Sequence, residues 1–425
     1  MKKTFRIISL GCKVNQYDGQ CMREKLRAAG LSEAAHGTPA ALCVINSCTV
    51  TAKADKESLY ALRRCRRESP DAVIVATGCM TECSRDAGNG ADLILKNKDR
   101  VRIVPLLREH FPRLLAGAGA GETTEHISSF QGHSRAFLKI QDGCDNFCSY
   151  CRVPFARGRP VSKPLDQVAA EAALLAKNGY KEIVIAGICV GKYGRDLTPP
   201  VSLADAIESL AAIPGLTRVR VSSIEAVDVT PRLVALLKEG GKLCPHLHIP
   251  LQSGDDGILT AMNRRYTVAG YLALIARLKR AVPGIGITTD VMVGFPGETE
   301  EQFRNTVAVV RRAGFAKVHI FPFSGREGTR AFSLPRVDPL VVQRRCRVLQ
   351  EEEEKVAARF RAKFIGKRLS VLIERRAPGR PGFWEGYAGN YIRVLARSGK
   401  DLLNRETTVV YRERPASSID TRTFK

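Results

Sequence analysis

Three cysteines in Gly143-Cys144-Asp145-Asn146-Phe147-Cys148-Ser149-Tyr150-Cys151 stand at spacing C-x3-C-x2-C, close enough for one loop to wrap them around a single inorganic centre. Three thiolates on a cubane 4Fe–4S cluster leave its fourth iron open to chelate a small molecule. Structural zinc wants four ligands, usually as two C-x2-C pairs, and this loop has one such pair with no histidine close behind it. A disulfide framework fits no better, because residues 1–10 read as a basic start running into a first core strand and not as a secretory signal. Ligand arithmetic assigns Cys144, Cys148 and Cys151 to iron and sulfur.

Three more cysteines stand out by position. Residues 4–10, 42–46, 73–77 and 92–95 read as strands, and residues 17–29, 55–67 and 99–110 as helices. This alternation predicts a parallel sheet with helices on its faces. Cys12, Cys48 and Cys79 follow the first three strands, in Leu10-Gly11-Cys12, Asn46-Ser47-Cys48 and Thr77-Gly78-Cys79. Open α/β sheets bind ligands at the carboxyl ends of their strands, so these thiols would make a second three-cysteine site. Burial as small hydrophobes is the competing reading, and it suits Cys21, Cys43 and Cys65. Cys83, four residues beyond Cys79, is a rival ligand.

The elements that must hold the first loop come next. Residues 136–141 form a strand leading into it, and five further strands are expected at 182–186, 218–223, 246–249, 286–291 and 317–323. Helical segments such as 166–177, 202–212 and 300–312 separate them. Six βα units are fewer than a full eight-stranded barrel needs. Small or polar residues cluster at the carboxyl ends of these strands. Gly187 lets backbone approach a cofactor, with Cys189 just behind it. Glu225 is either a cofactor or substrate ligand or a helix-start carboxylate. His246 and His248 share one side of their strand, Gln252 and Ser253 reach the rim, and Gly294 belongs to a glycine/proline turn. In Arg152-Val153-Pro154-Phe155-Ala156-Arg157-Gly158-Arg159, either Arg157 or Arg159 is placed to grip a phosphate or a carboxylate.

Residues 117–124, rich in glycine and alanine, read as a linker. Residues 343–363 read as a long charged helix whose run Glu351-Glu352-Glu353-Glu354 is a solvated connector. Beyond it, short strands at 368–373, 383–387, 391–395 and 407–411 suggest a small β-barrel of OB type. From Arg361 to Lys425 there are 15 Lys/Arg against 6 Asp/Glu, the densest basic stretch in the chain. With Phe383, Trp384, Tyr387 and Tyr391 exposed beside that charge, the barrel suits RNA, although at least one of Trp384 and Tyr391 is expected in its core.

Composition narrows the partner. The net charge of +24 points to a polyanion, nucleic acid before anionic membrane. No apolar run is long enough to span a bilayer, so a cytoplasmic protein is expected. Thirteen cysteines in such a chain favour metal or redox chemistry over disulfides.

With Tyr150 before the third cysteine, the loop resembles the radical S-adenosylmethionine superfamily. Ser9-Leu10-Gly11-Cys12-Lys13-Val14-Asn15-Gln16-Tyr17, Asn46-Ser47-Cys48-Thr49-Val50 and Gly78-Cys79-Met80 resemble the methylthiotransferases within it, over nearly the whole chain. That resemblance implies two 4Fe–4S clusters and S-adenosylmethionine. Cys144, Cys148 and Cys151 would hold the radical-generating cluster, and Cys12, Cys48 and Cys79 an auxiliary one that supplies or carries sulfur. Tyr150, Gly187, Glu225, Gln252, Ser253 and Gly294 are the candidate cofactor contacts. The implied fold is α/β: an N-terminal parallel sheet domain (1–116), a linker (117–133), a partial (β/α)6 barrel (134–360) and a small C-terminal β-barrel, the family's TRAM domain (361–425).

The implied reaction replaces a C–H bond by C–S–CH3, through a 5′-deoxyadenosyl radical that abstracts the hydrogen. The Gly11-Cys12-Lys13-Val14-Asn15 opening resembles the branch acting on N6-threonylcarbamoyladenosine beside the anticodon. The isopentenyladenosine branch is the nearest alternative. A ribosomal protein side chain is the third, disfavoured because a basic terminal barrel would repel a basic target. Implied partners are the anticodon stem-loop of tRNA, an external one-electron reductant and a sulfur source, with neither membrane nor DNA. Two rivals remain: a non-catalytic iron–sulfur RNA-binding protein, and a one-cluster methylase that leaves Cys12, Cys48 and Cys79 without iron.

Overall fold

The computed structural model describes residues 3–35, 37–116 and 125–412. The expected linker at 117–124 lies outside the described residues. The chain divides into two compact units, one of Met1–Gln131, Asp142–Pro160 and Ser324–Phe332, the other of Gly132–Gln141, Val161–Phe323 and Ser333–Lys425.

The first unit begins with β1 (Thr4–Ser9), α1 (Lys13–Ala28), β2 (Ser32–Glu33), β3 (Leu42–Ser47), α2 (Ala52–Glu68), β4 (Val73–Gly78), α3 (Cys79–Cys83), β5 (Leu93–Ile94) and α4 (Ile103–His110). Its strands form a parallel sheet in the order β2-β1-β3-β4-β5. Every residue of the central β3 is buried, as befits a strand covered on both faces. Successive side chains point to opposite faces. Leu42 and Val44 accordingly join Met22, Leu26, Ile103 and Leu107 on one side, while Cys43 and Ile45 join Leu62, Cys65 and Ile74 on the other. Cys21, Cys43 and Cys65 are buried, as their reading as small hydrophobes expects. The stretch expected to be helical from 99 opens as a 3-10 turn over Asn97–Arg102 before α4 begins.

In the second unit, β6 (Arg135–Asp142) runs toward the cysteine loop, whose short helix α5 (Val153–Arg157) belongs to the first unit. Then follow β7 (Val161–Ser162), α6 (Leu165–Lys177), β8 (Glu182–Gly187), α7 (Leu203–Ala211), β9 (Arg218–Val221), α8 (Pro231–Glu239) and β10 (His246–His248). After these come α9 (Asp256–Ala261), α10 (Val268–Ala281), β11 (Gly286–Val293), α11 (Glu300–Ala313) and β12 (Lys317–Pro322). β6, β8 and β9 pair in parallel, as do β10, β11 and β12. Parallel bridges Val219–Leu243 and Ser223–His248 join the two sets into one curved wall of six strands. Capping boxes start α7 (Ser202 with Asp205) and α11 (Thr299 with Gln302), so local sequence fixes where those helices begin.

α12 (Pro339–Ala362) is not the solvated connector the sequence suggests. Glu352 and Glu353 are buried, the first against Arg311 of α11 at 2.6 Å, the second against Lys317 of β12 at 3.1 Å. A glutamate run on a helix that packs must alternate between solvent and a paired face, and composition alone does not show the pairing.

β13 (Arg368–Arg376), β14 (Phe383–Ala388), β15 (Arg393–Arg397) and β16 (Glu406–Val410) form an antiparallel curled sheet in the order β15-β14-β13-β16, consistent with the small barrel. It sits at the amino ends of the barrel strands. There Glu182, wholly buried, accepts from Arg220 at 2.7 Å and lies within 3.7 Å of Arg135 and Arg218. Arg135 reaches Glu374 of β13 at 2.8 Å, and Arg218 reaches Glu406 of β16 at 2.9 Å. The expected row of exposed aromatics is not there. Trp384 is in the core of the sheet, while Tyr391 stacks on His246 and Tyr387 under the Arg220 guanidinium. Aromatic rings beside arginines fit an internal seam as well as they fit RNA. No helix among the described residues is long and apolar enough to cross a membrane.

Candidate functional site

The three dispersed cysteines sit where their strands end. Cys12 caps the amino terminus of α1, Cys48 follows β3 directly, and Cys79 opens α3. Short side chains lock the three loops together. The Asn15 amide donates to the carbonyls of Leu10, Asn46 and Ser47, and Asn46 donates back to the Asn15 carbonyl at 2.7 Å. The Ser47 hydroxyl donates to the Thr77 carbonyl and accepts from the Met80 amide. Gly11, at φ +89°, leaves no room for a side chain: a Cβ there would meet the Cys48 Sγ at 2.5 Å. Burial pushes the Cys48 thiol up to about 11, and the neighbouring Cys79 and Cys12 add to the rise. Burial also raises Cys79, with Cys12 again adding, while Arg157 opposes. Each of the buried thiols thus feels the charge of Cys12. Cys83 is half-buried, and it is its carbonyl that is held, by Arg152 at 2.6 Å.

Arg157 is not available to grip a phosphate. Its side chain is buried and lies against Cys79, Asp142, Asn15 and Asp18. Burial works against its charge, but Cys79, Asp142 and Asp18 outweigh burial and raise it well above the usual arginine value. Arg100 ion-pairs with Asp18 as well. Arg159, in contrast, is exposed.

Cys144, Cys148 and Cys151 are half-buried in one loop. The Cys144 Sγ accepts from the Asn146 amide at 3.5 Å, and the Cys151 Sγ from the Val153 amide at 3.4 Å. Such N–H···S bonds are one of the levers a protein has on an iron–sulfur centre. Gly143, at φ +76°, brings the loop base against the Arg159 carbonyl, which a Cβ would meet at 2.0 Å. Residues 324–332 brace both cysteine sets. The Ala331 amide donates to the Ser149 carbonyl at 2.8 Å, and Arg326 donates to Thr49, beside Cys48, at 2.8 Å. Tyr150 is half-buried, whereas Phe147 and Phe155 are exposed and meet edge to face at 5.8 Å.

In the second unit, a Cβ on Gly187 would meet the Gln141 Oε1 at 3.1 Å, and that oxygen accepts from the Cys189 amide at 2.7 Å. Cys189 is buried with its thiol 3.9 Å from Asp228. Glu225 is ion-paired with Arg264. His246 and His248 both bond the Thr288 hydroxyl, and His248 lies 3.2 Å from Asp290. Gln252 takes φ +62°, and its backbone bridges to β11. Ser253 is wholly buried, with its hydroxyl 3.4 Å from Thr306. Gly294, at φ +76°, donates to Glu298 at 2.8 Å, and a Cβ there would meet Val342 of α12 at 2.4 Å. Sequence reading missed Gln141, Asn15, Asp18, Asp142 and Arg100. Asn15 alone carried a signal, being part of the Gly11–Asn15 motif.

Among the described residues no three Cys, His, Asp or Glu side chains close up on a single metal ion. The fit to iron–sulfur clusters rests on the donors themselves: two sets of three thiols, one with two members buried and Cys79 facing a guanidinium, the other with backbone amides on Cys144 and Cys151. Both sets are all-thiol, the donor chemistry that iron–sulfur clusters select.

The chain is a radical S-adenosylmethionine protein: the Radical SAM superfamily matches residues 138–310, which take in the C-x3-C-x2-C loop. Residues 4–96 match a second family, described as Uncharacterized protein family UPF0004. The chain is 39% identical over 383 residues to the threonylcarbamoyladenosine tRNA methylthiotransferase MtaB of Chlamydia pneumoniae, covering 88% of each. It is 37% identical to the MtaB of Thermotoga maritima, covering 92% of this chain and 91% of that one. It is 34% identical to the tRNA-2-methylthio-N(6)-dimethylallyladenosine synthase of Moorella thermoacetica, covering 88% and 87%. Among solved structures, the radical S-adenosylmethionine methyltransferase TsrM of Kitasatospora setae shares the fold, with TM-score 0.58 and 15% identity over 78% of this chain and 77% of that one. The chain belongs to the radical S-adenosylmethionine tRNA methylthiotransferase family.

Proposed function

We propose that this protein methylthiolates an adenosine of tRNA, the N6-threonylcarbamoyladenosine at position 37, next to the anticodon. The observation that carries this reading is the pair of three-thiol sets within one compact unit, one set per implied cluster. Cys144, Cys148 and Cys151 would hold a cluster that gives the electron for cleaving S-adenosylmethionine, and Cys12, Cys48 and Cys79 one that would supply or carry the sulfur. The chain's own residues position and shield. Amides of Asn146 and Val153 donate to the radical-site sulfurs, and residues 324–332 brace both loops. Gly187, Gln252 and Gly294 are the proposed backbone contacts to the cofactor, with Tyr150, Glu225 and Ser253 as the other candidate contacts. Domains of 1–116, 134–360 and 361–425 would divide the work between sulfur supply, radical chemistry and tRNA binding in the cytoplasm, served by an external reductant and sulfur source.

The choice of nucleoside is supported by the Lys13-Val14-Asn15 opening and by the 39% and 37% identity to two threonylcarbamoyladenosine relatives, against 34% to the Moorella thermoacetica synthase. Mass spectrometry of tRNA nucleosides from cells with and without the protein tests it. Loss of 2-methylthio-N6-threonylcarbamoyladenosine, with its unthiolated parent accumulating, is expected. Loss of the isopentenyladenosine derivative instead would overturn the branch, and no change in any thiolated nucleoside would overturn tRNA methylthiolation.

A further inference from the structure

We infer that Arg157 is a positioning residue for the auxiliary site, holding the Cys79 ligand from the loop that carries the radical-site thiols. This rests on the iron–sulfur reading above.

A guanidinium has five N–H donors in a fixed plane. At Arg157 each one is taken. Nε donates to the Cys79 Sγ at 3.2 Å. Nη1 donates to both oxygens of Asp142, at 2.9 and 2.8 Å. Nη2 donates to the Asn15 Oδ1 and the Asp18 Oδ2, both at 3.0 Å. Two guanidiniums, Arg100 and Arg157, face two carboxylates, Asp18 and Asp142, so the network balances in charge. What remains is directional: four donors fix the plane, and the fifth is aimed at sulfur. Asn15 and Asp18 lie one turn apart on α1, the helix that Cys12 caps, and Asp142 closes β6 two residues before Cys144. One side chain therefore ties the helix of one auxiliary thiol, the sulfur of another, and the base of the radical-site loop. Lysine cannot replace it, because an ammonium offers three donors and no fork.

A hydrogen bond to a cluster sulfur raises the reduction potential, since the reduced cluster carries more negative charge. The test uses the full chain with Cys144, Cys148 and Cys151 all changed to Ala, reconstituted anaerobically so that only the auxiliary site takes iron. EPR-monitored redox titration of this parent is compared with the same protein carrying Arg157→Gln or Arg157→Lys. R157Q should move the midpoint potential negative and alter the g-values. R157K should move it less. If R157Q loses iron, R157K with iron retained and a shifted potential supports the inference equally. Parent potential and g-values in both variants at parent iron content would overturn it. A parent that takes up no iron would instead bring down the two-cluster reading beneath it.

Discussion

The two cysteine sites are built in opposite ways. One is a single loop whose three thiols lie within eight residues and stay half-buried. The other gathers thiols from three strand ends and buries two of the three. A loop site carries its thiol spacing in local sequence, with braces such as the Ala331 amide reaching it from far along the chain. The dispersed site exists only when β1, β3 and β4 are in register, and its supports, Asn15, Asn46, Ser47 and Gly11, touch no iron themselves. The first should fail only when a ligand is removed. The second should fail from the second layer too.

The largest effect tests the loop. Cys148→Ala should abolish 5′-deoxyadenosine formation in anaerobic assays, and persistence of that product would remove the radical site from this loop. Next, Gly11→Ala changes no ligand but drives a Cβ onto the Cys48 sulfur at a backbone angle that side chains rarely adopt. Iron content should fall by about half, while the loop site keeps its cluster; full iron content would show that the dispersed site tolerates what its packing forbids.

Glu182→Gln lies far from either thiol set in sequence and sharpens the contrast by acting on stability alone. Burial would raise this carboxyl, and the guanidiniums of Arg220, Arg135 and Arg218 outweigh burial and hold it down. Neutralising it leaves buried arginines underpaired, at about 3–5 kcal/mol by analogy with other broken buried pairs. Thermal or urea unfolding should show the loss at unchanged iron content.

The smallest effect is at Glu352, held down to about 2 from the ordinary 4.5 by Arg311 and then Lys355. Because the folded carboxyl is depressed, its stabilisation is complete above the unfolded value and disappears as pH falls from about 4.5 toward 2. Glu352→Gln should carry its small cost at neutral pH, flatten the acid limb of a stability–pH curve in that window, and match the wild type near pH 2.

The same contrast explains what was legible. Spacing alone singled out Cys144, Cys148 and Cys151 as one set, because the three lie in one loop. Strand-then-cysteine position raised Cys12, Cys48 and Cys79 only as one of two readings, because convergence of separate loops is a tertiary fact. Hydrophobic alternation predicted the six barrel strands and the four terminal ones within a few residues, since burial on a sheet leaves a periodic trace. Arg157 looked like a phosphate clamp because its partners, Asn15, Asp18 and Asp142, come from other elements. Glu352 and Glu353 looked solvated because a run of like charge hides which members face a packed neighbour. Tyr387 and Tyr391 looked like RNA contacts, yet the same rings beside Arg220 and His246 close an internal seam.

On the reading proposed above, the two sites do separate work in one reaction. The direct test is Cys48→Ala in an anaerobic reaction with tRNA, S-adenosylmethionine and a chemical reductant, scoring 5′-deoxyadenosine and methylthiolated nucleoside together. The account predicts that 5′-deoxyadenosine still forms while the methylthiolated nucleoside is absent. Methylthiolated product at the wild-type level would contradict it.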